Sequence, residues 1–173
     1  MNRNLLILGA GIYGLITKEI AESMGCFDKI AFADDFAHQT LNGIPVIGTT
    51  DDLSELSEEY NNAIVAIGKT AVRSSMIKKI ENEPKMKLAT LISPRAFVSS
   101  SAKIGEGSVI EPMATVSALC TLGKGCFVCA GAVVNHACEC GDTVQVDCNA
   151  TVTGNAVVPS GTKIIAGSVF DKT

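Results

Sequence analysis

Apolar side chains recur at every sixth position through the second half of the chain. From Ile92 to Ile164, the first place of each hexad is aliphatic or, once, cysteine, and the fifth place holds a small residue. The first places are Ile92, Val98, Ile104, Ile110, Val116, Leu122, Val128, Val134, Cys140, Val146, Val152, Val158 and Ile164, and the fifth places are Ala96, Ala102, Ser108, Ala114, Cys120, Cys126, Ala132, Cys138, Val144, Ala150, Ala156, Thr162 and Ser168. An α-helix would have a period of about 3.6 and a half-buried strand a period of about 2. A period of six is instead typical of a parallel β-helix, whose branched side chains fill the interior beside small ones.

Three hexads complete one triangular coil of a left-handed β-helix, so thirteen hexads predict a little over four coils. Residues 18 apart then stack in neighbouring coils, about 4.8 Å from each other. His136 takes the third, outward-pointing place of its hexad, and Ala118 and Gly154 are its neighbours in that stack. Because both neighbours are small, we expect His136 in an open notch, either as a solvated side chain or as a reacting group.

The first 88 residues alternate short apolar segments with segments of helical spacing. The pattern predicts strands over residues 5–8, 30–33, 63–67 and 88–92, and helices over 12–24 and 70–81, the first of which ends at Gly25. Asp51 is expected to cap a short helix that ends at Leu56. This alternation indicates a small parallel sheet. We therefore expect an α/β half-Rossmann domain over residues 1–88 and a left-handed parallel β-helix of hexapeptide repeats over residues 89–173.

A glycine-rich turn follows the first predicted strand and opens the first predicted helix. Gly9, Gly11 and Gly14 form a G-x-G-x-x-G motif, and Asp34 lies 20 residues after Gly14. Free N–H groups at such a turn can hold a phosphate, and an acid at this distance can bind a ribose hydroxyl. A domain of about 90 residues offers only one mononucleotide half, which favours a single nucleotide or a nucleotide-sugar over a dinucleotide. The alternative is a tight strand-to-helix turn that binds nothing.

Charge and hydropathy restrict the partners that we expect. The net charge is −4 among 173 residues, and no basic cluster is longer than Lys78 and Lys79, which argues against a nucleic-acid partner. No apolar run reaches the roughly 18 residues of a membrane span. Met1 leads almost directly into the first strand without a signal-peptide cleavage site, so we expect no signal peptide.

The chain contains seven cysteines, several of them at interior places of the hexads. Cys120 and Cys138 are 18 residues apart and should stack on each other. The spacings of Cys126 with Cys129 and of Cys138 with Cys140 are compatible with zinc ligands, but at least one sulfur of each pair should point into the coil. We therefore expect no metal and a reduced, cytoplasmic protein.

Several motifs in this order match those of one group of enzymes. They are LGAGIYG (residues 8–14), ADD (33–35), AIGK (66–69) with Arg73, the hexads, and VNHAC (134–138). With them, nearly the whole chain resembles the bacterial hexapeptide-repeat acyltransferases that modify nucleotide-linked amino sugars or sialic acid. It is most similar to the bacillosamine-pathway N-acetyltransferases and the sialic acid O-acetyltransferases.

The resemblance implies a role for each domain. In that family the front domain binds the nucleotide-sugar, so we expect a UDP- or CMP-linked substrate at Gly9, Gly11, Asp34, Asp35, Gly68, Lys69 and Arg73. The β-helix of the family forms a homotrimer that binds acetyl-CoA between subunits, here against Gly154, Ala166 and Gly167. His136 matches the family's general base, which takes the proton of a sugar amine or hydroxyl as that group attacks the thioester. We expect the trimer to bury Val109, Phe127 and Val133, which are apolar residues at outward places.

Three positions depart from the pattern of the family. Ala137 stands where an acidic residue usually orients the histidine, Gln145 where a second histidine often lies, and Cys129 where a substrate-side asparagine often lies. Asn135, Asn155 or a residue of a neighbouring subunit could orient His136 instead. The alternative function is a non-catalytic nucleotide-sugar-binding trimer of the same fold. A γ-type carbonic anhydrase needs three histidine ligands and is excluded, because the chain has two histidines.

Overall fold

The structure is a computed structural model that describes residues 3–171. The chain forms two compact units, of which the first ends at Ala89 and the second begins at Thr90. Each unit has its own buried cluster of hydrophobic side chains. The predicted combination of a half-Rossmann domain and a left-handed β-helix is confirmed by the strand topology of the two units.

The first unit is built on a five-stranded parallel sheet. Its strands are β1 (Leu5–Leu8), β2 (Ile30–Ala33), β3 (Val46–Gly48), β4 (Asn62–Val65) and β5 (Lys87–Leu88), in the order β3-β2-β1-β4-β5. All four residues of β1 are fully buried, as expected of a central strand covered on both faces. Because β1 is followed by β2 on one side and later by β4 on the other, the connections diverge between β1 and β4. Parallel α/β sheets bind ligands at such a point, beyond the carboxyl ends of the strands.

Three helices connect these strands. They are α1 (Ile12–Met24), α2 (Leu53–Leu56) and α3 (Thr70–Glu81), and the predicted bounds of the two longer helices are confirmed. Gly25 ends α1 in the left-handed conformation, with φ 63°, which glycine adopts without a steric penalty. Among residues 3–171, none of the helices has the length and apolar character needed to cross a membrane.

The prediction that Asp51 caps the short helix is wrong. A 3₁₀ turn (Thr50–Asp52) precedes α2, and Thr49 caps that turn. The Thr49 hydroxyl accepts a hydrogen bond from the N–H of Asp51, and the Asp52 carboxylate accepts one from the N–H of Thr49 at 2.7 Å. This reciprocal pair is a capping box, and it begins two residues earlier than the apolar pattern indicated.

Two features of the strands also differ from the sequence-based expectation. The predicted strand over residues 88–92 is divided between β5 and a second short strand, β6 (Leu91–Ile92), which belong to different sheets. The apolar run continues across the break at Ala89 and Thr90, so the pattern alone did not reveal it. Strand β3 was not predicted because it has only three residues, none of them fully buried.

The second unit consists of fourteen two-residue strands that wind into three flat faces. After β6 they are β7 (Phe97–Val98), β8 (Lys103–Ile104), β9 (Val109–Ile110), β10 (Thr115–Val116), β11 (Thr121–Leu122), β12 (Phe127–Val128), β13 (Val133–Val134), β14 (Glu139–Cys140), β15 (Gln145–Val146), β16 (Thr151–Val152), β17 (Val157–Val158), β18 (Lys163–Ile164) and β19 (Val169–Phe170). The first face contains β6, β9, β12, β15 and β18, the second β7, β10, β13, β16 and β19, and the third β8, β11, β14 and β17. Paired residues are 18 apart, as Val116 and Val134 illustrate.

The interior of the coil contains the first and fifth places of the hexads, as predicted. At the fifth place, a thiol or hydroxyl often donates to a carbonyl 15 residues later. The Sγ atoms of Cys120, Cys126 and Cys138 lie 2.7, 3.1 and 3.0 Å from such carbonyl oxygens. A small residue with a polar hydrogen therefore fits this place, because its donor is satisfied inside the coil.

The predicted stacking of Cys120 on Cys138 is confirmed. Burial raises the pKa of the Cys138 thiol, and the neighbouring Cys120 sulfur adds to that rise. All seven cysteines are free thiols. Among residues 3–171, no three His, Cys, Asp or Glu side chains form a group that could hold a metal ion.

The corners of the coil require a left-handed residue at the fourth place of the hexad. Eleven fourth places have a positive φ: Met113, Leu119, Ala137, Thr143, Asn149, Asn155, Gly107, Gly125, Gly131, Gly161 and Gly167. Such a conformation is unfavourable for residues other than glycine, and asparagine and aspartate tolerate it best. Ala137, which directly follows His136, is one of the less favoured residues at this place, with φ 54°.

Two of the three residues expected to drive association are already buried in the single chain. Val109 is 2% exposed and Phe127 is 1% exposed, so neither has apolar surface left to bury in an oligomer. The prediction that they form a subunit contact is therefore wrong, although both do occupy outward places. Val133 is only partly buried and lies on the second face.

Candidate functional site

His136 lies in the turn between β13 and β14, at the edge where the second face meets the third. Its side chain is exposed to solvent. The Asn135 side-chain oxygen accepts a hydrogen bond from the backbone N–H of His136 at 2.8 Å. The backbone carbonyl of His136 accepts one from the N–H of Asn155 at 2.9 Å. The main chain at His136 is thus held from both sides, while the ring projects outward.

The imidazole ring of His136 lies directly over Gly154 in the next coil. A Cβ atom built on Gly154 would be 2.6 Å from Cε1, 2.7 Å from Nε2 and 3.1 Å from Nδ1 of the ring. The small size of residue 154 was noted from the sequence, but the expected notch on that side is filled by the ring itself. Ala118 occupies the corresponding position in the preceding coil and is exposed.

No hydrogen bond orients the imidazole within the part of the chain that the structure describes. Asn135 uses its side-chain oxygen on the backbone of His136, and Asn155 contributes its backbone N–H rather than its side chain. Ala137 has no polar side chain. Of the proposed orienting groups, the two asparagines therefore hold the main chain, and no bond from either reaches the ring.

The backbone N–H of Gly154 has no hydrogen-bond partner among residues 3–171. Third-place N–H groups elsewhere in the coil point outward, since they donate to outward side chains. The N–H of Ala130 donates to the Glu111 carboxylate at 2.9 Å, and that of Lys124 donates to the Asp142 carboxylate at 2.8 Å. Among the described residues, the equivalent donor at Gly154 has no partner.

A groove of about 530 Å³ lies on the third face. Its lining includes Glu139 and Thr121 on one side and Val157, Pro159 and Ser160 on the other. Glu139 and Val157 follow His136 and Gly154 by three residues each, so the groove lies on the face that follows the turn of the histidine, and neither His136 nor Gly154 belongs to its lining. It combines exposed apolar surface with a few polar groups, as small-molecule sites commonly do.

The three residues expected to contact the acyl donor do not lie together in one chain. Gly154 is in the turn between the second and third faces, whereas Ala166 and Gly167 are in the turn that leads from the first face to the second. Both of these residues are exposed. Gly167 has φ 69° and open space where a Cβ would be. A single chain therefore places the two parts of the expected site at opposite edges of its second face.

A buried acid beside the coil was not anticipated from the sequence. Glu111 is 5% exposed and lies one coil before Cys129, whose thiol is its hydrogen-bond partner. Burial raises the pKa of Glu111, which the bonds from Ala130 and Cys129 offset only in part. Burial also raises the pKa of the Cys129 thiol. Only the spacing of 18 could have indicated this pairing, because Glu111 takes an outward place where acids are normally solvated.

The three glycines of the loop after β1 serve different purposes. Gly9 has φ 113°, and a Cβ there would lie 2.8 Å from the carbonyl oxygen of Ala66. A Cβ on Gly14 would lie 2.1 Å from the carbonyl oxygen of Gly9, so α1 can approach β1 only without a side chain. Gly11 is exposed and has no atom within 4 Å of its Cβ position. Of the three, only Gly11 faces open space.

The N-terminus of α1 has no capping side chain, and the Asp34 carboxylate is bound one residue before it, to the N–H of Ala10. Gly11 is the N-cap residue, no side chain caps the helix, and the first turn contains no acidic residue. Unpaired N–H groups and the helix dipole attract an anion at such an end. The sheet topology places this end beside the loop that follows β4, which contains Gly68 and Lys69.

Asp34 and Asp35 both hold backbone near the carboxyl end of β2. Asp34 accepts hydrogen bonds from the N–H groups of Ala10, Phe36 and Ala37. Burial raises the pKa of Asp34, but these three donors outweigh burial and hold the pKa below its usual value. Asp35 accepts from the N–H and the hydroxyl of Thr50.

These two acids also border a hollow of about 120 Å³ at the carboxyl end of the sheet. The hollow is lined further by His38, Gly48 and Thr49. Its lining contains neither Gly9, Gly11 nor Gly68. The expected substrate residues thus border two adjoining places, the hollow and the N-terminus of α1, rather than one cavity.

The loop after β4 contains one exposed cation and one buried cation. Lys69 is exposed and is the N-cap residue of α3. Arg73 is 0% exposed, and its guanidinium donates to the carbonyl oxygen of Ile67 at 2.6 Å. Gly68 lies under the Tyr13 ring, where a Cβ would come within 2.6 Å of Cε2. Lys69 can therefore meet a solute directly, whereas Arg73 supports the backbone of the loop.

The sequence of the first unit matches one known domain family. Residues 4–80 match the family described as the PglD N-terminal domain. The matched range contains the glycine loop, both acids at the end of β2 and the loop after β4. A comparison with curated proteins gives no significant match.

Solved structures resemble the chain over almost its entire length. The acetyltransferase domain of PglB from Neisseria gonorrhoeae FA1090, in complex with acetyl coenzyme A, is 33% identical with a TM-score of 0.87, over 99% of this chain and 92% of that one. A mutant of perosamine N-acetyltransferase from Caulobacter crescentus, in complex with CoA and GDP-perosamine, is 24% identical with a TM-score of 0.80, over 98% and 89% of the two chains. At the lower identity the similarity establishes the fold alone.

Proposed function

The chain belongs to the family of PglD- and PglB-type sugar acetyltransferases, and from that premise we propose that it acetylates an amino or hydroxyl group of a nucleotide-linked sugar with His136 as general base. Acetyl-CoA is the acyl donor. The observation that carries the proposal is the exposed imidazole of His136, set over Gly154 in the turn that leads to the third face. In the acetyl-CoA complex of the PglB domain, a protein 33% identical to this one uses the same fold to bind the donor.

His136 acts on the nucleophile in this proposal. The imidazole accepts a proton from the sugar amine or hydroxyl while the nitrogen or oxygen forms a bond to the thioester carbonyl carbon. Such general-base assistance typically contributes about 10²- to 10⁴-fold in rate. The exposed ring is accessible to a substrate from solvent, and it has no hydrogen bond within residues 3–171 that would occupy its acceptor nitrogen.

The N–H of Gly154 stabilises the charge that develops on the thioester oxygen. Attack produces a tetrahedral intermediate whose oxyanion needs a fixed donor about 3 Å away. The open N–H of Gly154 supports this role because it lies beside the His136 ring and projects outward like the other third-place N–H groups. When the intermediate collapses, the carbon–sulfur bond breaks and the CoA sulfur takes the proton from the imidazolium.

The groove on the third face accommodates the pantetheine arm of the donor. Val157 is 56% exposed, and with Pro159 it offers apolar contact to a flexible chain. Ala166 and Gly167 contact the same donor from a neighbouring subunit. Their position at the opposite edge of the second face supports this assignment, since one chain cannot bring them to Gly154.

The second face forms the contact between subunits of a homotrimer. Its outward places read Phe97, Thr115, Val133, Thr151 and Val169, with no charged residue. Phe97 and Val169 are 62% and 65% exposed. The third face, in contrast, has Lys103 and Glu139 at outward places. Burying the uncharged face is the more favourable way to associate.

The nucleotide-sugar binds at the carboxyl ends of β1 and β4. Its phosphates lie at the N-terminus of α1 beside Gly11, where Lys69 supplies a counter-charge. Gly9, Gly68 and Arg73 shape this place from behind, because they fix the two loops. Asp34 and Asp35 border the adjoining hollow, which we assign to the ribose and base of a UDP- or CMP-linked sugar.

The free thiols support a reducing compartment, so we assign the protein to the cytoplasm. The second candidate function is a non-catalytic nucleotide-sugar-binding trimer of the same fold. It is favoured by one observation, namely that Ala137 and the two neighbouring asparagines provide no group that orients the imidazole.

The test is a direct assay of acetyl transfer. Wild type and His136→Ala are incubated with acetyl-CoA and a panel of UDP- and CMP-linked amino sugars, and free CoA thiol is measured alongside calorimetric binding of each ligand. We expect turnover by the wild type and a loss of about 10²- to 10⁴-fold in kcat for His136→Ala, with little change in KM. Full activity of His136→Ala would exclude the general base. Binding of both ligands without turnover by any variant would establish the non-catalytic alternative.

A further inference from the structure

We propose that Gly154 is a positioning residue for His136, because the missing side chain at residue 154 provides the surface on which the imidazole rests. The inference depends on the proposed role of His136 as general base. It assigns to Gly154 a second task that is separate from donating its N–H, since a methyl group at this position would leave the N–H in place and displace the ring.

The distances require that the ring and a side chain at residue 154 exclude each other. Two ring atoms, Cε1 and Nε2, lie 2.6 and 2.7 Å from the position of the absent Cβ. Van der Waals contact between heavy atoms needs about 3.5–4.0 Å. An alanine at residue 154 would therefore push the ring of His136 outward by about an ångström or force it into another rotamer.

The backbone gives no other reason for glycine at residue 154. Gly154 lies at the third place of its hexad, and its φ is not among the positive values, which occur at the fourth place. It is partly exposed and does not belong to the interior cluster. The other described residues of this stack are Ser100, Ala118 and His136, so among them the third place accepts side chains wherever no ring lies above it.

Steric contact is the only restraint that the described residues place on the imidazole. The His136 N–H donates to the Asn135 side-chain oxygen and the His136 carbonyl accepts from the Asn155 N–H, which fixes the main chain on either side of the ring. The ring itself has no partner, so its direction depends on what it lies against. A displacement of about 1 Å in a reacting group can reduce a rate by about 10²-fold. The contact of the His136 ring with Gly154 therefore determines how well the base is placed for proton transfer from the substrate.

The test combines kinetics with a direct measurement of the ring. The variants are Gly154→Ala, His136→Ala, the double variant, and Ser100→Thr as control. The control adds a methyl group in the same stack of third-place residues, two coils from the ring. We expect Gly154→Ala to lower kcat at least about tenfold while KM for the sugar stays within about twofold, and Ser100→Thr to match the wild type. In the His136→Ala background, Gly154→Ala should change kcat no further.

The ring is followed by the NMR signals of its carbon-bound hydrogens. The chain has only two histidines, so His136→Ala assigns both signals. We expect Gly154→Ala to shift or broaden the His136 signal and leave that of His38, in the first unit, unchanged. If Gly154→Ala leaves the His136 signal unchanged, the ring does not rest on Gly154 and the proposal is overturned. The proposal is also overturned if the signal moves but kcat stays unchanged, provided that His136→Ala inactivates the enzyme. A further loss from Gly154→Ala in the His136→Ala background would show that Gly154 acts independently of the ring.

If His136 is not the general base, the kinetic results differ from those described above. In that case His136→Ala would retain full activity, whatever Gly154→Ala does. The positioning role would then be overturned as well, while the His136 signal would still report whether the ring rests on Gly154.

Discussion

The carboxylate of Asp34 accepts a hydrogen bond from the backbone N–H of Ala10 at 2.8 Å. This bond joins the carboxyl end of β2 to the glycine loop that follows β1. An acid 20 residues after the last glycine suggested a ribose ligand, and the structure assigns it at least one further task. One oxygen fixes the loop, and the other holds the N–H groups of Phe36 and Ala37.

Replacement of Asp34 should destabilise the first unit in a pH-dependent way. The donors hold the pKa of Asp34 below its usual value, so its stabilising effect is complete above the unfolded-state pKa of about 3.9. The effect is lost as the pH falls through the lower folded-state value. We expect Asp34→Ala to cost about 1.5–3 kcal/mol at pH 7 and progressively less as the pH falls below about 3.9, measured by urea unfolding. Asp51→Asn, which removes an exposed ion pair with Lys79, should cost less than about 1 kcal/mol. A loss for Asp34→Ala that does not depend on pH would contradict this account.

Gly11→Leu should abolish binding of the nucleotide-sugar and preserve the fold. A Cβ at residue 11 has no atom within 4 Å, so we expect a leucine to preserve the fold while its side chain covers the N-terminus of α1. Calorimetry with a UDP-sugar and thermal unfolding measure the two effects. The comparison variant is Gly14→Ala, whose Cβ would collide with the carbonyl oxygen of Gly9 and should lower the Tm. Unchanged UDP-sugar affinity of Gly11→Leu would mean that the phosphates bind elsewhere.

Ala137→Asp should raise the activity of the enzyme. A carboxylate beside His136 can hold one tautomer and stabilise the imidazolium, so we expect kcat to rise. Aspartate also tolerates the left-handed conformation of residue 137 better than alanine does, and we expect a smaller gain for Ala137→Glu for that reason. The measurement is kcat for acetyl transfer, with Ala137→Asn as the uncharged match. An equal gain for asparagine would attribute the effect to the turn rather than to charge.

Val133→Lys should dissociate the trimer. Val133 lies at the centre of the uncharged second face, between Thr115 and Thr151, and burying an unpaired ammonium group there is strongly unfavourable. Light scattering at micromolar concentration should give a trimer for wild type and a monomer for the variant. Leu41→Lys makes a similar change at a residue that is 74% exposed in the first unit and should remain trimeric. A monomeric wild type would contradict the trimer itself.

Some interactions follow from the period of the β-helix alone. Every coil repeats the same 18-residue path, so residues 18 apart in the sequence are predicted to stack on each other. The contact of Cys120 with Cys138 and the placement of Gly154 beside His136 were both predictable in this way. In the first unit, the bounds of α1 and α3 followed from apolar spacing and from Gly25, since helices are local structures.

The burial of particular side chains depended on the tertiary structure and could not be predicted from the repeat. The sequence placed Val109 and Phe127 on an outer face, but it did not show that both side chains are buried. Arg73 reads as a surface cation in a helix, but its side chain is 0% exposed and its guanidinium donates to the carbonyl of Ile67. For Val109 and Phe127, the pattern along the chain determined the direction of the side chain and the coil in which it lies. Whether the His136 ring would rest on Gly154 or stand free in solvent depended on distances of a few tenths of an ångström between coils, which only close packing in three dimensions sets.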